Sequence, residues 1–201
     1  LRLSAATAGN DHRLGGFEAP PAIISIFLGE QLTHILNDIA TGRDIDVPAA
    51  VSLQMGVEAL PNLKRDDSDR NRTSPFAFTG NKFEFRMVGS SQSIALANVM
   101  LNTAVADVLR DYADRLAQSD DFDTELKAII SDTVRDHSAI IFNGNNYTAD
   151  WVAEAERRGL PNLTNTVDAA ESMIDAKNIN LFERTGVFSE AECRSRYDII
   201  L

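Results

Sequence analysis

The sequence predicts an α+β fold, with a few antiparallel strands in its N-terminal half and a helical C-terminal half. Three observations carry that expectation. Lys82-Phe83-Glu84-Phe85-Arg86 alternates charged and aromatic residues with period two, the spacing of a half-buried strand. Downstream of residue 91 the apolar residues recur at helical spacing instead. Strand and loop signals fill the chain before that point and helical signals the chain after it, a segregation typical of α+β architecture.

Taken in order, Leu1 to Ser4 reads as the end of a buried strand. Gly9-Asn10-Asp11-His12-Arg13-Leu14-Gly15-Gly16 is dense in turn formers and reads as a loop, stiffened at its exit by Pro20 and Pro21. Ile23 to Ile39 places Ile24, Phe27, Leu28, Leu32, Ile35, Leu36 and Ile39 at helical spacing, and Thr41-Gly42 ends that helix. Arg43 to Arg70 reads as a connector whose mixed-charge run, Lys64 to Arg70, is solvated. After the charged strand, a long helix runs from Ser91 or Ser93 to Gln118 with Leu101, Val105, Val108, Tyr112 and Leu116 on one stripe.

Asp120-Asp121 opens the next helix, where acids suit the N-terminal dipole. Asn143-Gly144-Asn145-Asn146 is a turn. Thr148 caps a helix from Ala149 to Arg158, and Thr166 caps another reaching Lys177. Ser189-Glu190-Ala191-Glu192 has the spacing of a capping box and starts the last helix.

A net charge of −11 argues against a general nucleic-acid or anionic-membrane binder, while leaving room for a local cationic pocket. No stretch approaches the roughly 20 apolar residues needed to span a bilayer, and the N-terminus lacks the pattern of a secretory signal. Cys193 is the single cysteine, which points to a reducing, cytoplasmic setting. The chain begins LRLS without Met and stops at RYDIIL inside a helical pattern, so both ends read as cut from a longer polypeptide.

No GxGxxG, GxxxxGK[ST], HExxH or GxSxG pattern is present, and nothing around Cys193 points to a lowered pKa. The chemistry-bearing residues are Asn10, Asp11, His12, Arg13 and Glu18 in the first loop, then Arg72, Lys82, Glu84 and Arg86. Alternation puts Lys82, Glu84 and Arg86 on one strand face and Phe83 and Phe85 on the other, as anchors in a core. Two readings of that face stay open. One is a bound anion beside a bound metal, since a carboxylate is a hard oxygen ligand and the cations suit phosphate oxygens. The other is a solvated charge ladder. Several cations with a few carboxylates fit phosphoryl transfer.

The segments GNDHRLGGFEAPP (residues 9–21) and NRTSPFAFTGNKFEFRMVGSS (residues 71–91) resemble the glutamine synthetase family, specifically its large type III branch. The GNDHR loop, a Glu followed by Ala-Pro, an Asn-Arg-[Ser/Thr] and a strand with Glu-x-Arg occur in the family's order. The resemblance implies a fragment of the glutamine synthetase catalytic fold over residues 1–118, with a helical type III-like region over 119–201. It implies an ATP-dependent ligase that phosphorylates glutamate and then admits ammonia to give glutamine, with Mg²⁺ or Mn²⁺ as cofactor and a homo-oligomeric full-length protein.

By motif, Arg13 would bind glutamate, and Glu18 would sit on the flap that seals the intermediate and draws a proton from ammonium. Arg72 and Lys82 would contact ATP phosphates, Glu84 would bind metal, and Arg86 would steady the phosphoryl and glutamate groups. Three departures from the bacterial type I pattern stand out. Arg13 and Glu18 are one residue closer together, Ala77 replaces a second arginine, and Lys82 offers a point charge where an arginine fork is usual. The remaining metal ligands of the family would lie upstream of residue 1, so the isolated chain is expected to be inactive. Two alternatives remain: an assembly module derived from the fold, without catalysis, and a related carboxylate–amine ligase or guanidino phosphotransferase.

Overall fold

The computed structural model describes residues 1–45, 52–53, 63–64, 69 and 73–201. A 3-10 turn (Arg2–Ala5) leads into α1 (Ala8–Arg13), β1 (Ile26–Phe27) and α2 (Glu30–Thr41). Then come β2 (Ser52–Leu53), β3 (Leu63–Lys64), β4 (Phe76–Phe78) and β5 (Phe83–Phe85). The helical half comprises α3 (Ala95–Gln118), α4 (Phe122–His137), α5 (Ala149–Arg157), α6 (Thr166–Ala170), α7 (Ala176–Thr185) and α8 (Glu190–Ile200). The α+β class therefore stands. None of the described helices is long and apolar enough to cross a membrane.

The main sheet has the order β1-β4-β5 and is mixed. β4 and β5 pair antiparallel as expected, but β1 runs parallel to β4 with Ile26 opposite Phe76. This parallel pair follows from where α2 begins. Ile23 to Leu28 is an apolar, β-branched run whose periodicity suits a short buried strand as well as a helix. It stays extended here: Ile23 and Ser25 are fully buried, and Gly29, at φ +83°, makes the turn into α2. Asn143 fixes that start from a distance, its Oδ1 accepting from the N–H groups of Leu28 and Gly29 at 3.0 Å each. Gly42, in the left-handed region, ends α2 as the sequence suggests.

Other expectations shift as well. In place of a strand end at Leu1 to Ser4 there is the 3-10 turn Arg2–Ala5, with Ser4 Oγ donating to the Leu1 carbonyl. The Gly9–Gly16 loop contains α1, capped by Thr7. The stretch from Thr166 to Lys177 is split: Asn165 caps α6, and Asp175 caps α7. Between them a 3-10 turn (Glu171–Met173) buries Met173. The Thr148 cap and the Ser189 capping box are as the sequence indicates.

Three small cores hold the fold. Leu3, Ala169, Ala170, Met173, Ile179, Phe182 and Cys193 join the N-terminal turn to α6, α7 and α8. Ala5, Leu14, Ala19, Ala22 and Met87 pack beneath the first loop. Ile23 packs with Trp151 and Ala155, where Phe142 stacks on Trp151 at 3.8 Å between ring centroids. The α3 stripe is not fully covered: Val105 and Val108 are exposed. Polar ties grip α3 instead, from Asp107 to Arg184 and from Arg115 to Glu125.

Candidate functional site

The charged strand forms because β4 and β5 make a tight hairpin. Thr79 N–H donates to the Lys82 carbonyl at 2.8 Å, and Gly80 takes φ +95°, which side-chain-bearing residues rarely adopt. On the aromatic face, Phe76, Phe83 and Phe85 meet at centroid separations of 5.5 and 6.0 Å, and Phe78 meets Phe83 at 5.2 Å. Phe83 is nonetheless 50% exposed, so it is a weaker anchor than its spacing suggests.

The other face gathers the charges as the alternation requires. Lys82 Nζ lies 3.3 Å from Glu84 Oε1, and Arg86 Nη2 lies 3.2 Å from Glu84 Oε2. Hydrogen bonds from Lys82, then from Arg86, hold the Glu84 carboxyl below the usual carboxylate range. Ala77 stands directly across the hairpin from Glu84. A small residue there leaves Glu84 to Lys82 and Arg86.

Arg86 has a second carboxylate partner that sequence reasoning missed. Asp69 Oδ2 lies 2.8 Å from Arg86 Nη1, and the Asp69 carbonyl accepts from Nη2 at 3.2 Å. The same carboxylate accepts from the N–H and hydroxyl of Thr73 and from the N–H and hydroxyl of Ser74. Burial pushes the Asp69 carboxyl upward, but the bonds from Ser74 and Thr73 outweigh it and hold the group below its ordinary value of 3.8. Asp69 belongs to the run expected to be solvated, yet it is 6% exposed. The available signal was local: an aspartate followed at four and five positions by Thr73 and Ser74, the pattern of a side chain tying down a turn.

Arg86 has five N–H donors. The contacts with Asp69 and Glu84 engage four of them, so among the described residues one Nη1–H remains for another acceptor. A guanidinium fixed by two carboxylates keeps its remaining N–H in a set position, which suits an anionic acceptor.

Arg13 reaches the same strand end from α1. Its Nε donates to Asn10 Oδ1 at 2.7 Å and its Nη2 to the Met87 carbonyl, one residue beyond Arg86, at 2.6 Å. Asn10 Nδ2 also donates to Met87, at 3.0 Å, and to the Ala5 carbonyl at 2.6 Å. Glu18 stands apart from this group, exposed beside the fully exposed Phe17 on a loop closed by the Leu14–Ala19 bridge. The structure thus brings together Lys82, Glu84 and Arg86, adds Asp69, ties Arg13 to the backbone of the next residue, Met87, and leaves Glu18 exposed on its loop. Arg72 lies outside the described residues.

As a metal site the arrangement is partial. Among the described residues no three His, Cys, Asp or Glu side chains gather in one place. Mg²⁺ takes about six oxygens, so this donor set fits one carboxylate ligand of a shared ion and does not complete a site.

Comparison with known proteins gives consistent matches. Residues 125–201 match the family model described as glutamine synthetase C-terminal domain. Over its whole length the chain is 45% identical to a type-3 glutamine synthetase from Dictyostelium discoideum and covers 28% of it. It is 43% identical to a glutamine synthetase from Butyrivibrio fibrisolvens, covering 29%, and 38% identical to one from Bacteroides fragilis (strain YCH46), covering 28%. The chain therefore spans under a third of the length of the curated relatives it matches.

Proposed function

Because this chain belongs to the glutamine synthetase family and aligns from end to end with its type III branch, we propose that it carries part of the active site of an ATP-dependent glutamate–ammonia ligase. Residues 1–118 would be the C-terminal part of the catalytic domain and 119–201 a helical region characteristic of the branch. The observation that supports this reading best is the Arg86–Glu84–Asp69 cluster at the end of β5, with Arg13 bonded to the carbonyl of Met87, the next residue along.

In this reading a γ-carboxylate oxygen of glutamate attacks the γ-phosphorus of ATP and ADP leaves. Ammonia then attacks the acyl carbon of the γ-glutamyl phosphate, and phosphate departs with that oxygen. Arg13 binds the substrate carboxylate. Arg86, through its remaining N–H, stabilises charge on the phosphoryl oxygens during transfer, and Lys82 and Arg72 neutralise the ATP phosphates. Glu18, on its exposed loop, accepts the ammonium proton and helps exclude water from a hydrolysable acyl phosphate. Glu84 would supply one oxygen to Mg²⁺ or Mn²⁺, which shields phosphate charge when bound. The full-length protein would act as a homo-oligomer in the cytoplasm. The 201 residues alone, with one metal-type carboxylate at this face, would be inactive.

Calorimetric titration of the full-length protein with ATP and Mn²⁺ tests the Glu84 assignment. Glu84→Ala is expected to weaken Mn²⁺-dependent ATP binding by about tenfold or more, in line with the cost of disturbing a ligand shell. Binding equal to that of the unaltered protein would rule out Glu84 as a ligand and leave it as a charge-ladder residue.

A further inference from the structure

We propose that Asp11 is a positioning residue: it fastens α1, and with it Arg13, to the Leu163–Thr166 segment that leads into the first residue of α6, so that the C-terminal helical region sets the geometry of the carboxylate-binding arginine. This deepens the reading of Arg13 given above and rests on it.

The two oxygens of Asp11 are divided between two partners. Oδ1 lies 2.7 Å from Arg2 Nη2, while Oδ2 accepts from the Thr166 N–H at 2.7 Å and from its hydroxyl at 2.6 Å. Arg2 is itself anchored in the C-terminal half: its Nε donates to the Leu163 carbonyl at 2.7 Å and its Nη2 to that of Thr164 at 3.3 Å. At 4% exposure this guanidinium is shielded from solvent, where charge-assisted bonds are strong. Desolvation raises the Asp11 pKa, but the bonds from Thr166 and Arg2 outweigh it and keep the carboxylate ionised at neutral pH.

Helix geometry explains why this tie controls Arg13. Asn10 and Arg13, three residues apart, share a face of α1, and both bond to Met87 at the charged strand. Asp11 is about 200° around the helix from Arg13 and so faces the other way, toward Thr166. With six residues, α1 is too short to be stable in isolation. Its place is set by the two bodies it bridges, the strand end on one side and the C-terminal segment on the other. Releasing Asp11 frees α1 to rotate or fray and moves Arg13 without touching Lys82 or Glu84.

The test uses the full-length enzyme with Asp11→Ala, Thr166→Val and Arg13→Ala. Hydrogen–deuterium exchange across residues 8–14 reports on the tie directly, and separate KM values for glutamate and ATP report on Arg13. Asp11→Ala is expected to speed exchange there and to raise the KM for glutamate about tenfold, with the KM for ATP within about twofold. Thr166→Val removes one hydrogen bond, keeps the backbone donor and should act in the same direction more weakly. It also serves if Asp11→Ala does not fold. The double variant should be no worse than Asp11→Ala alone, because the pair acts as one unit.

Unchanged exchange in residues 8–14 would overturn the proposal. So would faster exchange with no effect on the glutamate KM, or with equal effects on both substrates, the pattern of general destabilisation. Arg13→Ala separates the two layers of the argument: an unaltered glutamate KM in that variant removes the Arg13 assignment itself.

Discussion

Replacing Asp69 by Ala should lower the stability of the folded chain by about 3–5 kcal/mol, the cost of removing one partner from a buried, hydrogen-bonded ion pair. The side chains of Asp69 and Arg86 are 3% and 14% exposed, so neither charge is well compensated by water once the other is removed. The loss extends beyond the pair, because Thr73 and Ser74 each donate two hydrogen bonds to Asp69, and the buried donors of Ser74 would be left without an acceptor. Chemical denaturation measures the effect, and a change under about 1 kcal/mol, the range of an exposed ion pair, would contradict it.

The pH dependence follows in sign. The folded Asp69 pKa lies below the ordinary 3.8, so its contribution is present above that pH and is lost as pH falls through the lower folded value. The stability gap between the unaltered protein and Asp69→Asn should therefore be constant near neutrality and shrink on acidification below about 3.8.

Arg86→Ala in the full-length enzyme should reduce kcat by about 10³-fold, within the span seen when a charged donor to a transferring phosphoryl group is removed. Arg86→Lys should recover little of it. An ammonium, with three donors and no planar fork, cannot make the four bonds to Asp69 and Glu84 and keep an N–H for a further acceptor. Circular dichroism on the same samples separates lost catalysis from lost fold, since Arg86→Ala also leaves Asp69 unpaired. A kcat within about tenfold of the unaltered enzyme would place Arg86 in a structural role only.

What the sequence conveyed depended on whether the cause was local. The alternation through residues 82–86 dictates which side chains share a face whatever surrounds the strand, and the Lys82–Glu84–Arg86 contacts followed from it. The Thr148 cap and the Ser189 capping box are likewise short-range hydrogen-bonding choices. The elements read differently owe their form to distant partners. α1 depends on the Asp11 tie across more than 150 positions of sequence, and the extended Ile23–Leu28 run depends on β4 and Asn143. Asp69 was hidden by its neighbours: in a run of mixed charge, nothing marks the one carboxylate that turns inward until its partners at Thr73, Ser74 and Arg86 are placed. Arg2, read as part of a strand end, is buried with its Nε and Nη2 donating to Leu163, Thr164 and Asp11.

The most direct test of the proposed chemistry is isotopic. Glutamate carrying ¹⁸O in both γ-carboxylate oxygens is supplied with ATP and ammonia to the full-length enzyme, and the released phosphate is analysed by mass spectrometry. Attack of the carboxylate on the γ-phosphorus requires one ¹⁸O in each phosphate formed, with the other retained in glutamine, and that is the expected result. Glutamine formed alongside unlabelled phosphate, or no glutamine at all, would contradict a γ-glutamyl phosphate intermediate.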